Sequence, residues 1–272
     1  MKIGFYGVEA SFSHEALVEY FGNTGNILSC AEFKDVFDAI ESDTAKYGVI
    51  PIENSSTGSI NEVYDLLRNY GFYIVGEKCI KVNHNLLGIK GASIDDIEEI
   101  YSHSQAFMQS KEFLANRRLK LVPYFSTAGS AKYISEEGCK SKGCIASKRA
   151  GKLYNLDILQ EDINYNKKNY TRFIIIGKSM EVNDDSDKIS IVFTLEHKVG
   201  TLFNILKHFE ENDLNMTKIE SRPKIDSPWQ YYFYIDFYGN LNDRNAQKVV
   251  EKIKNECEYF KLLGNYTSDH TI

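Results

Sequence analysis

The sequence predicts a two-part α/β protein, with a larger domain of parallel strands covered by helices and a smaller βαββαβ domain. In residues 1–178, short apolar runs alternate with segments of helical periodicity, the pattern of parallel sheets covered by helices. A polar stretch at 180–187 interrupts this alternation and marks a linker. The remaining six elements fit into about 85 residues, the size of a ferredoxin-like unit.

In the larger domain, we expect each apolar run to form a strand and the segment after it to form a helix. The predicted strand and helix pairs are 3–6 with 13–21, 27–31 with 34–41, 47–52 with 59–70, 99–101 with 104–116, 121–125 with 128–135, and 144–146 with 148–154. In the smaller domain, alternation predicts strands and a period of 3.6 predicts helices. The elements are strand 188–195, helix 200–212, strands 215–222 and 230–237, helix 245–255 and strand 259–263.

The helix predicted over 59–70 has the clearest boundaries. Ser59 and Glu62 have the spacing of a capping box, and Gly71 is suited to ending a helix. Four apolar residues follow on one helical face: Val63, Leu66, Leu67 and Tyr70.

Composition excludes several classes of function. The chain has 272 residues, 43% of them hydrophobic, and a formal net charge of −6. This charge argues against nucleic acid or an anionic membrane as a partner, because either binds a basic surface. The first residues lack the charged and apolar pattern of a signal peptide, so we expect none. No apolar run reaches the roughly 20 residues that a membrane helix needs. Five cysteines without CxxC spacing indicate structural thiols in a reducing, cytoplasmic setting.

Hydroxyl and amide side chains follow most predicted strands of the larger domain. Ligands of parallel α/β sheets bind beyond the carboxyl ends of the strands, so these turns form the candidate site. They are 11–14, 53–58, 102–105, 126–127 and Ser147. Ser and Thr cap helices in any protein, which explains each turn by itself. Together, helix N-termini at one sheet edge suit a carboxylate or phosphate, and the residues alone leave both interpretations open.

Three further features add polar groups to these turns. Ser102 and Gln105 have capping-box spacing, and with Gln109 they form a polar stripe that either enters a crevice or faces solvent. Glu53 directly follows an apolar strand, where it either braces a loop or has a raised pKa. Thr171 and Arg172 lie at the start of a strongly apolar strand. They either bind a carboxylate together or are surface residues at the end of the strand.

Other chemistries are not supported by the sequence. The His and Cys residues lack metal-ligand spacing, and no phosphate-loop or dinucleotide fingerprint occurs. We therefore expect neither a metal nor an organic cofactor.

These turns, in this order, resemble the prephenate dehydratase family over essentially the whole chain. Each short match is weak alone, whereas several in sequence order are specific. The matching segments are Gly7 with Ser11-Phe12-Ser13, Pro51-Ile52-Glu53-Asn54-Ser55 with Gly58, His84-Asn85-Leu86-Leu87, Ser102-His103 through Gln109, Ser126-Thr127-Ala128, Ala146-Ser147, and Thr171-Arg172-Phe173.

The resemblance implies an enzyme of L-phenylalanine biosynthesis that converts prephenate to phenylpyruvate, water and carbon dioxide. Thr171 is implied as the group that donates or relays a proton to the departing hydroxyl, with Glu53 bracing the site. Histidine is in general better suited to acid catalysis than threonine, which makes His103 the alternative donor, and only the resemblance selects Thr171. The expected substrate-binding residues are Asn54, Ser55, Ser102, Gln109, Ser126, Thr127 and Arg172.

The resemblance also implies how the domains are arranged. A catalytic domain at 1–178 is expected to form two lobes around a cleft, as in periplasmic binding proteins. One lobe comprises about 1–77 with 166–178, and the other about 78–165.

The tail at 187–272 resembles the regulatory ACT domain of the same enzymes. By this resemblance, two segments bind L-phenylalanine between paired subunits and give feedback inhibition in a homodimer or homotetramer. They are Gly200-Thr201-Leu202 and Glu220-Ser221-Arg222-Pro223. Two residues depart from the family pattern: Ala10 stands where glycine is usual, and Thr201 adds a hydroxyl and bulk where alanine is usual.

Two alternatives fit the same residues. An arogenate dehydratase uses the same scaffold, with an amino group in place of the keto group of the substrate. A non-catalytic protein that binds an amino acid or a small anion between two lobes would also explain the polar turns. Turnover of prephenate separates the enzyme from the pure binder.

Overall fold

A computed structural model of the chain describes residues 2–115 and 117–270. The strands are β1 (Ile3–Tyr6), β2 (Ile27–Cys30), β3 (Tyr47–Asn54), β4 (Gly58–Ser59), β5 (Tyr73–Lys81), β6 (Asn85–Gly88), β7 (Glu99–Ser102), β8 (Lys120–Pro123), β9 (Lys142–Ala146), β10 (Asp157–Gln160), β11 (Tyr170–Gly177), β12 (Lys188–Thr194), β13 (Met216–Lys224), β14 (Ser227–Tyr238) and β15 (Tyr259–Tyr266). The helices are α1 (Phe12–Phe21), α2 (Phe33–Glu41), α3 (Asn61–Tyr70), α4 (Ser104–Gln109), α5 (Lys111–Leu114), α6 (Thr127–Glu137), α7 (Lys148–Leu153), α8 (Thr201–Glu210) and α9 (Arg244–Glu256). Within these two ranges, every helix is too short or too polar to cross a membrane.

The first sheet has the strand order β2-β1-β3-β11-β5, and the short β4 pairs with β3. β1 and β2 run parallel, with Ile3 beside Ile27. β3 and β11 lie inside the sheet, and their runs of Val and Ile are fully buried, as expected for strands covered on both faces. Because β3 and β11 are neighbours, residues that are far apart in sequence meet at their ends.

The second sheet has the order β10-β6-β9-β7-β8. β7 runs parallel to β8 and β9, whereas β6 runs antiparallel to β9 and β10. The adjacent residues Leu86 and Leu87 belong to two different core clusters, one containing Ala106 and the other Ala131, because successive strand residues point to opposite faces. Helices therefore cover both faces, as predicted, although the sheet is mixed rather than parallel.

The third sheet, with the order β13-β14-β12-β15, is antiparallel throughout. α8 and α9 pack on it through Ile205, Phe209, Val249 and Ile253, which are buried in one apolar core. The predicted order βαββαβ is confirmed in this C-terminal unit, 188–266.

Contacts divide the chain into two compact units. The first comprises Met1–Val36, Val49–Ile60 and Cys79–Phe173, and the second Phe37–Gly48, Asn61–Lys78 and Ile174–Ile272. The strands β3, β5 and β11 each pass from one unit to the other. The lobe and domain boundaries given above stay predictions.

Several local predictions were wrong for physical reasons. Ser59 does not cap α3, which begins at Asn61, because the backbone of Ser59 pairs with Glu53 in β4. The single helix predicted over 104–116 is interrupted at Ser110 (φ −112°, ψ 16°) and forms α4 and α5. Its predicted last residue, Asn116, lies outside the described residues. Strands β4, β5, β6 and β10 were not predicted.

Candidate active site

The turn after β3 is built around the side chain of Asn54. Its Oδ1 accepts hydrogen bonds from the backbone N–H of Ser56 (2.9 Å) and Thr57 (3.2 Å), and from the Thr57 hydroxyl (3.3 Å). Side chains of Asn commonly brace turns in this way. Gly58 closes the turn at φ 84°, in the left-handed region that favours glycine.

The amide nitrogen of Asn54 faces the start of β11. Nδ2 donates to Thr171 Oγ1 (2.9 Å), Asn169 Oδ1 (2.8 Å) and the Tyr170 carbonyl (3.1 Å). Because a backbone N–H can only donate, the bonds to Oδ1 fix which end of the Asn54 amide is oxygen. The Thr171 oxygen therefore accepts from Asn54, which leaves the hydroxyl hydrogen to be donated elsewhere.

Glu53 and Arg172, which precede Asn54 and follow Thr171 in the sequence, form an ion pair. Arg172 Nε is 2.6 Å from Glu53 Oε1, and the two side chains are 10% and 28% exposed. Successive strand residues point to opposite faces, so Asn54 and Thr171 share one face of the sheet while Glu53 and Arg172 share the other. The structure thus brings together the residues of each pair and does not bring Arg172 to the face of Thr171.

The segment 166–170 is fixed to the same turn. The Ser55 hydroxyl donates to the Lys168 carbonyl (3.2 Å) and accepts from the Tyr170 N–H (2.9 Å). Asn166 Nδ2 donates to Ser56 Oγ (3.0 Å). The hydroxyl of Ser55, a predicted substrate ligand, is therefore already bonded on both sides.

The capping box predicted for Ser102 and Gln105, at the end of β7, does not form. Ser102 is fully buried, and its hydroxyl donates to the Ile145 carbonyl (2.7 Å). His103 caps α4 instead, since its Nδ1 accepts from the Gln105 N–H (3.3 Å). Gln105 Nε2 donates to Thr57 Oγ1 (2.9 Å), which links α4 to the Asn54 turn.

Gln109, at the end of α4, is also buried. Its Oε1 lies 2.8 Å from His84 Nε2, and its carbonyl accepts from the Tyr165 N–H (2.9 Å). Burial lowers the pKa of His84 to about 4, so the imidazole is neutral at pH 7.

Ser126 and Thr127 lie at the N-terminus of α6. Ser126 Oγ accepts from the Gly129 N–H (2.9 Å), as an N-cap does. The ring of Phe125 covers Gly129, where an added Cβ would lie 2.4 Å from it. Within 2–115 and 117–270, no hydrogen bond joins Ser126 or Thr127 to the Asn54–Thr171 pair.

The N-terminal motif, Gly7 with Ser11-Phe12-Ser13, follows β1 and is joined to Ser147. Ser11 caps α1, and Ala10 adopts φ 62°, a left-handed conformation that explains why glycine is usual there. The Ala10 N–H donates to His14 Nδ1 (3.1 Å), and Ser147 Oγ donates to the Ala10 carbonyl (3.3 Å). Burial is the main cause that lowers the pKa of His14.

Comparison with known proteins identifies the family. The family model for prephenate dehydratase matches residues 3–181. The chain belongs to the prephenate dehydratase family. It is 35% identical over 285 residues to arogenate dehydratase/prephenate dehydratase 1 of Arabidopsis thaliana, covering 99% of this chain and 72% of that protein.

Two solved structures extend this similarity to the fold. Prephenate dehydratase of Arthrobacter aurescens in complex with L-Phe has a TM-score of 0.87 and 25% identity, covering 98% of this chain and 90% of that one. A protein described as a novel type of quorum-quenching acylase has a TM-score of 0.90 and 26% identity, covering 99% of both chains.

In this prephenate dehydratase family member, the predicted effector segments lie in the C-terminal unit. Gly200 (φ 85°) precedes α8, and Thr201 Oγ1 donates within its own turn to the carbonyls of Glu196 and Lys198 (both 3.1 Å). Thr201 and Leu202 line a cavity of about 320 Å³. The added hydroxyl of Thr201 is thus bonded within its turn.

The other segment lies on β13. Glu220, Ser221, Arg222 and Pro223 pair with β14, and none of them is among the residues that line the cavity. Arg222 Nη2 forms an ion pair with Asp65 Oδ2 of α3 (2.7 Å). The two predicted effector segments therefore occupy different surroundings in this unit.

Sequence reasoning missed one residue and one contact of the site. Asn169, which is 1% exposed and bonds to Asn54, was not among the predicted site residues. Gln105 was part of a candidate turn, but its bond to Thr57 was not predicted. The position of Asn169 two residues before Thr171 was a usable signal, because both side chains then point to the same face of an extended segment.

Proposed function

We propose that this protein is a prephenate dehydratase, which converts prephenate to phenylpyruvate, carbon dioxide and water. The observation that carries the proposal is the Asn54–Thr171 hydrogen bond. It orients the hydroxyl of Thr171, a residue that is 9% exposed, so that the hydroxyl hydrogen can be donated. Such a donor is what the departing hydroxyl of prephenate requires.

The reaction needs one proton and no redox partner. When the ring carboxylate leaves as carbon dioxide, the electron pair of its C–C bond moves into the ring and the C–O bond to the ring hydroxyl breaks. The ring becomes aromatic, which favours the products. The departing hydroxide takes up one proton to become water, and a positioned acid lowers the barrier of that step.

We assign the donation or relay of this proton to Thr171. A threonine hydroxyl is a weak acid, so it needs stabilisation as its O–H bond weakens. The Asn54 N–H supplies a hydrogen bond to the oxygen on which charge develops, an arrangement of the oxyanion-hole type. A nucleophilic hydroxyl needs a base that accepts its hydrogen, and among the described residues Thr171 Oγ1 bonds to the donor Asn54 and to no base. The geometry therefore favours proton donation to the substrate over acyl transfer.

The remaining predicted residues are given supporting roles. Arg172 and Glu53 hold each other on the opposite face of the sheet, and we propose that this pair braces the strand ends. A carboxylate of the substrate would bind at the N-terminus of α6, where Ser126 caps a helix of 11 residues. Ser102 keeps the turn before α4 in place through its bond to the Ile145 carbonyl.

The test is turnover of prephenate by the purified protein and by two Thr171 variants. Thr171→Ala should lower kcat by about 10²–10³-fold with little change in KM, as loss of one oriented donor does. Thr171→Ser keeps the hydroxyl and serves as the matched control, with activity close to wild type. An alanine variant as active as wild type would remove Thr171 from the mechanism.

Arogenate is assayed beside prephenate, because the Arabidopsis relative carries both activities in its name. Higher kcat/KM on arogenate would reassign the substrate and keep the scaffold and mechanism. Tight binding of prephenate without product would make the protein a binder.

We also propose that the C-terminal unit is an ACT domain that binds L-phenylalanine at the cavity beside Thr201 and Leu202. A cavity of about 320 Å³ is in the range of small-molecule sites. Inhibition of prephenate turnover by L-phenylalanine, and its weakening in Leu202→Ala, would support this. Sedimentation tests the expected homodimer or homotetramer, and the cytoplasmic setting stays a prediction.

A further inference from the structure

His84 stands in a motif to which the proposed mechanism gives no role. It lies between β5 and β6 and is 3% exposed. Its backbone N–H donates to Asn164 Oδ1 (2.6 Å), and its carbonyl accepts from the Ile163 N–H (2.9 Å). Its ring and the ring of Phe12 form a T-shaped pair, with 6.1 Å between the ring centroids. Backbone and ring are therefore held from several sides.

The two ring nitrogens of His84 have different surroundings. Nε2 lies 2.8 Å from Gln109 Oε1, whereas Nδ1 is buried and has no hydrogen-bond partner among the described residues. A neutral imidazole carries one N–H. If it were on Nδ1, a buried N–H would be left unpaired, which proteins avoid more strictly than an unpaired acceptor. The hydrogen therefore lies on Nε2 and is donated to Gln109.

This donation decides which way the Gln109 amide faces. With its oxygen bound to His84, the amide nitrogen and its two hydrogens point the other way. That nitrogen makes no hydrogen bond to any described residue. The Gln109 backbone is also held by Tyr165, so the side-chain amide has one preferred orientation.

We propose that His84 is a positioning residue, whose Nε2–H holds the Gln109 carbonyl oxygen so that the Gln109 amide presents donors, not an acceptor, to the anionic substrate. The inference rests on the proposed function, in which the substrate carries two carboxylates, and on the expectation that Gln109 binds that substrate. Gln109 lies on α4, the helix that Gln105 joins to the Asn54 turn. An inverted amide would place its oxygen against those groups, and like partial charges repel. His84 thus acts on the reaction through Gln109 and does not contact the substrate.

A double-mutant cycle on kcat/KM for prephenate tests this coupling. His84→Leu removes the donor and should lower kcat/KM about tenfold, the effect of about one well-placed hydrogen bond. In a Gln109→Ala background, the same change should lower it less than about twofold, because the amide that it orients is absent. His84→Gln places an N–H close to the position of Nε2 and should restore activity to within about threefold of wild type.

Equal losses from His84→Leu with and without Gln109 would show a structural role and overturn the inference, as would a Gln109→Ala variant with wild-type activity. Imidazole ¹⁵N shifts of the wild-type enzyme give a second test that needs no variant to fold. A protonated Nε2 and a bare Nδ1 are expected, and the reverse would overturn the inference. A wild-type protein that fails to turn over prephenate would reject the proposed function itself, a different result from an additive cycle in an active enzyme.

Discussion

Replacing Asn54 by aspartate reverses one hydrogen bond without changing the shape of the side chain. One carboxylate oxygen still accepts from the N–H groups of Ser56 and Thr57. The other takes the place of Nδ2, 2.9 Å from Thr171 Oγ1. Thr171 would then donate its hydrogen to the new carboxylate, so that the hydrogen is no longer available to the substrate.

Asn54→Asp should lower the activity more than the free energy of unfolding. Loss of one oriented donor in an active site costs about 2.7–4 kcal/mol, or about 10²–10³-fold in kcat. Folding is affected less, because Asn169 can turn its amide nitrogen toward the carboxylate. Only the contact with the Tyr170 carbonyl, 3.1 Å away, stays unfavourable, at about 1–2 kcal/mol.

For each variant we would measure two quantities: kcat for prephenate and the urea midpoint of unfolding. Asn255→Asp, on the exposed side of α9, makes the same change of charge and should leave kcat unchanged. Asn54→Asp combined with Thr171→Ala should be no slower than Thr171→Ala alone, since both changes remove the same hydrogen. An Asn54→Asp enzyme within about threefold of wild-type kcat would refute the assigned direction of the hydrogen bond.

Three further predictions concern the same region. Asn169→Leu removes the acceptor that helps to fix Asn54 and should lower kcat about tenfold, whereas Asn169→Asp keeps that acceptor and should retain more activity in the same assay. Gly58→Ala and Gly71→Ala each force alanine into a left-handed conformation with open space around the new Cβ, so both should cost about 1–2 kcal/mol of unfolding free energy. Only Gly58→Ala, in the Asn54 turn, should also lower kcat, and equal activity in the two variants would contradict this. Because burial lowers the pKa of His84 from 6.5 to about 4, the unfolded chain binds more protons than the folded protein between these values, so stability falls as pH falls. The expected loss is about 2 kcal/mol between pH 7 and pH 5, and urea unfolding of His84→Gln should lack it.

Periodicity predicted most of the elements and all of the C-terminal order. Where an apolar face repeats over several turns, as in α3, the local pattern reports burial directly. It failed at β5, where Glu77 and Lys78 interrupt the apolar run and the strand is specified by its neighbours in the sheet. The capping box at Ser59 failed because pairing in β4 takes the same backbone.

In the candidate site too, the local features were predicted from the sequence and the long-range contacts were not. The turn after β3 was predicted because its polar residues are contiguous in sequence. Asn169 and the Gln105–Thr57 contact were not, since each depends on contacts across long stretches of chain that no local spacing encodes. The tautomer of His84 likewise depends on which of its ring atoms find partners after folding.

The bond between Asn54 and Thr171 spans 117 positions of the chain. A nascent or cleaved polypeptide that lacks β11 can contain every residue of the Asn54 turn and still lack the reactive hydroxyl. Activity should therefore arise in one step, when β11, the last strand of the first sheet in chain order, pairs with β3 and β5. Two separately expressed fragments, divided between the exposed residues Lys167 and Lys168 just before β11, would then regain turnover only on association, so their catalysis would serve as a measure of their assembly.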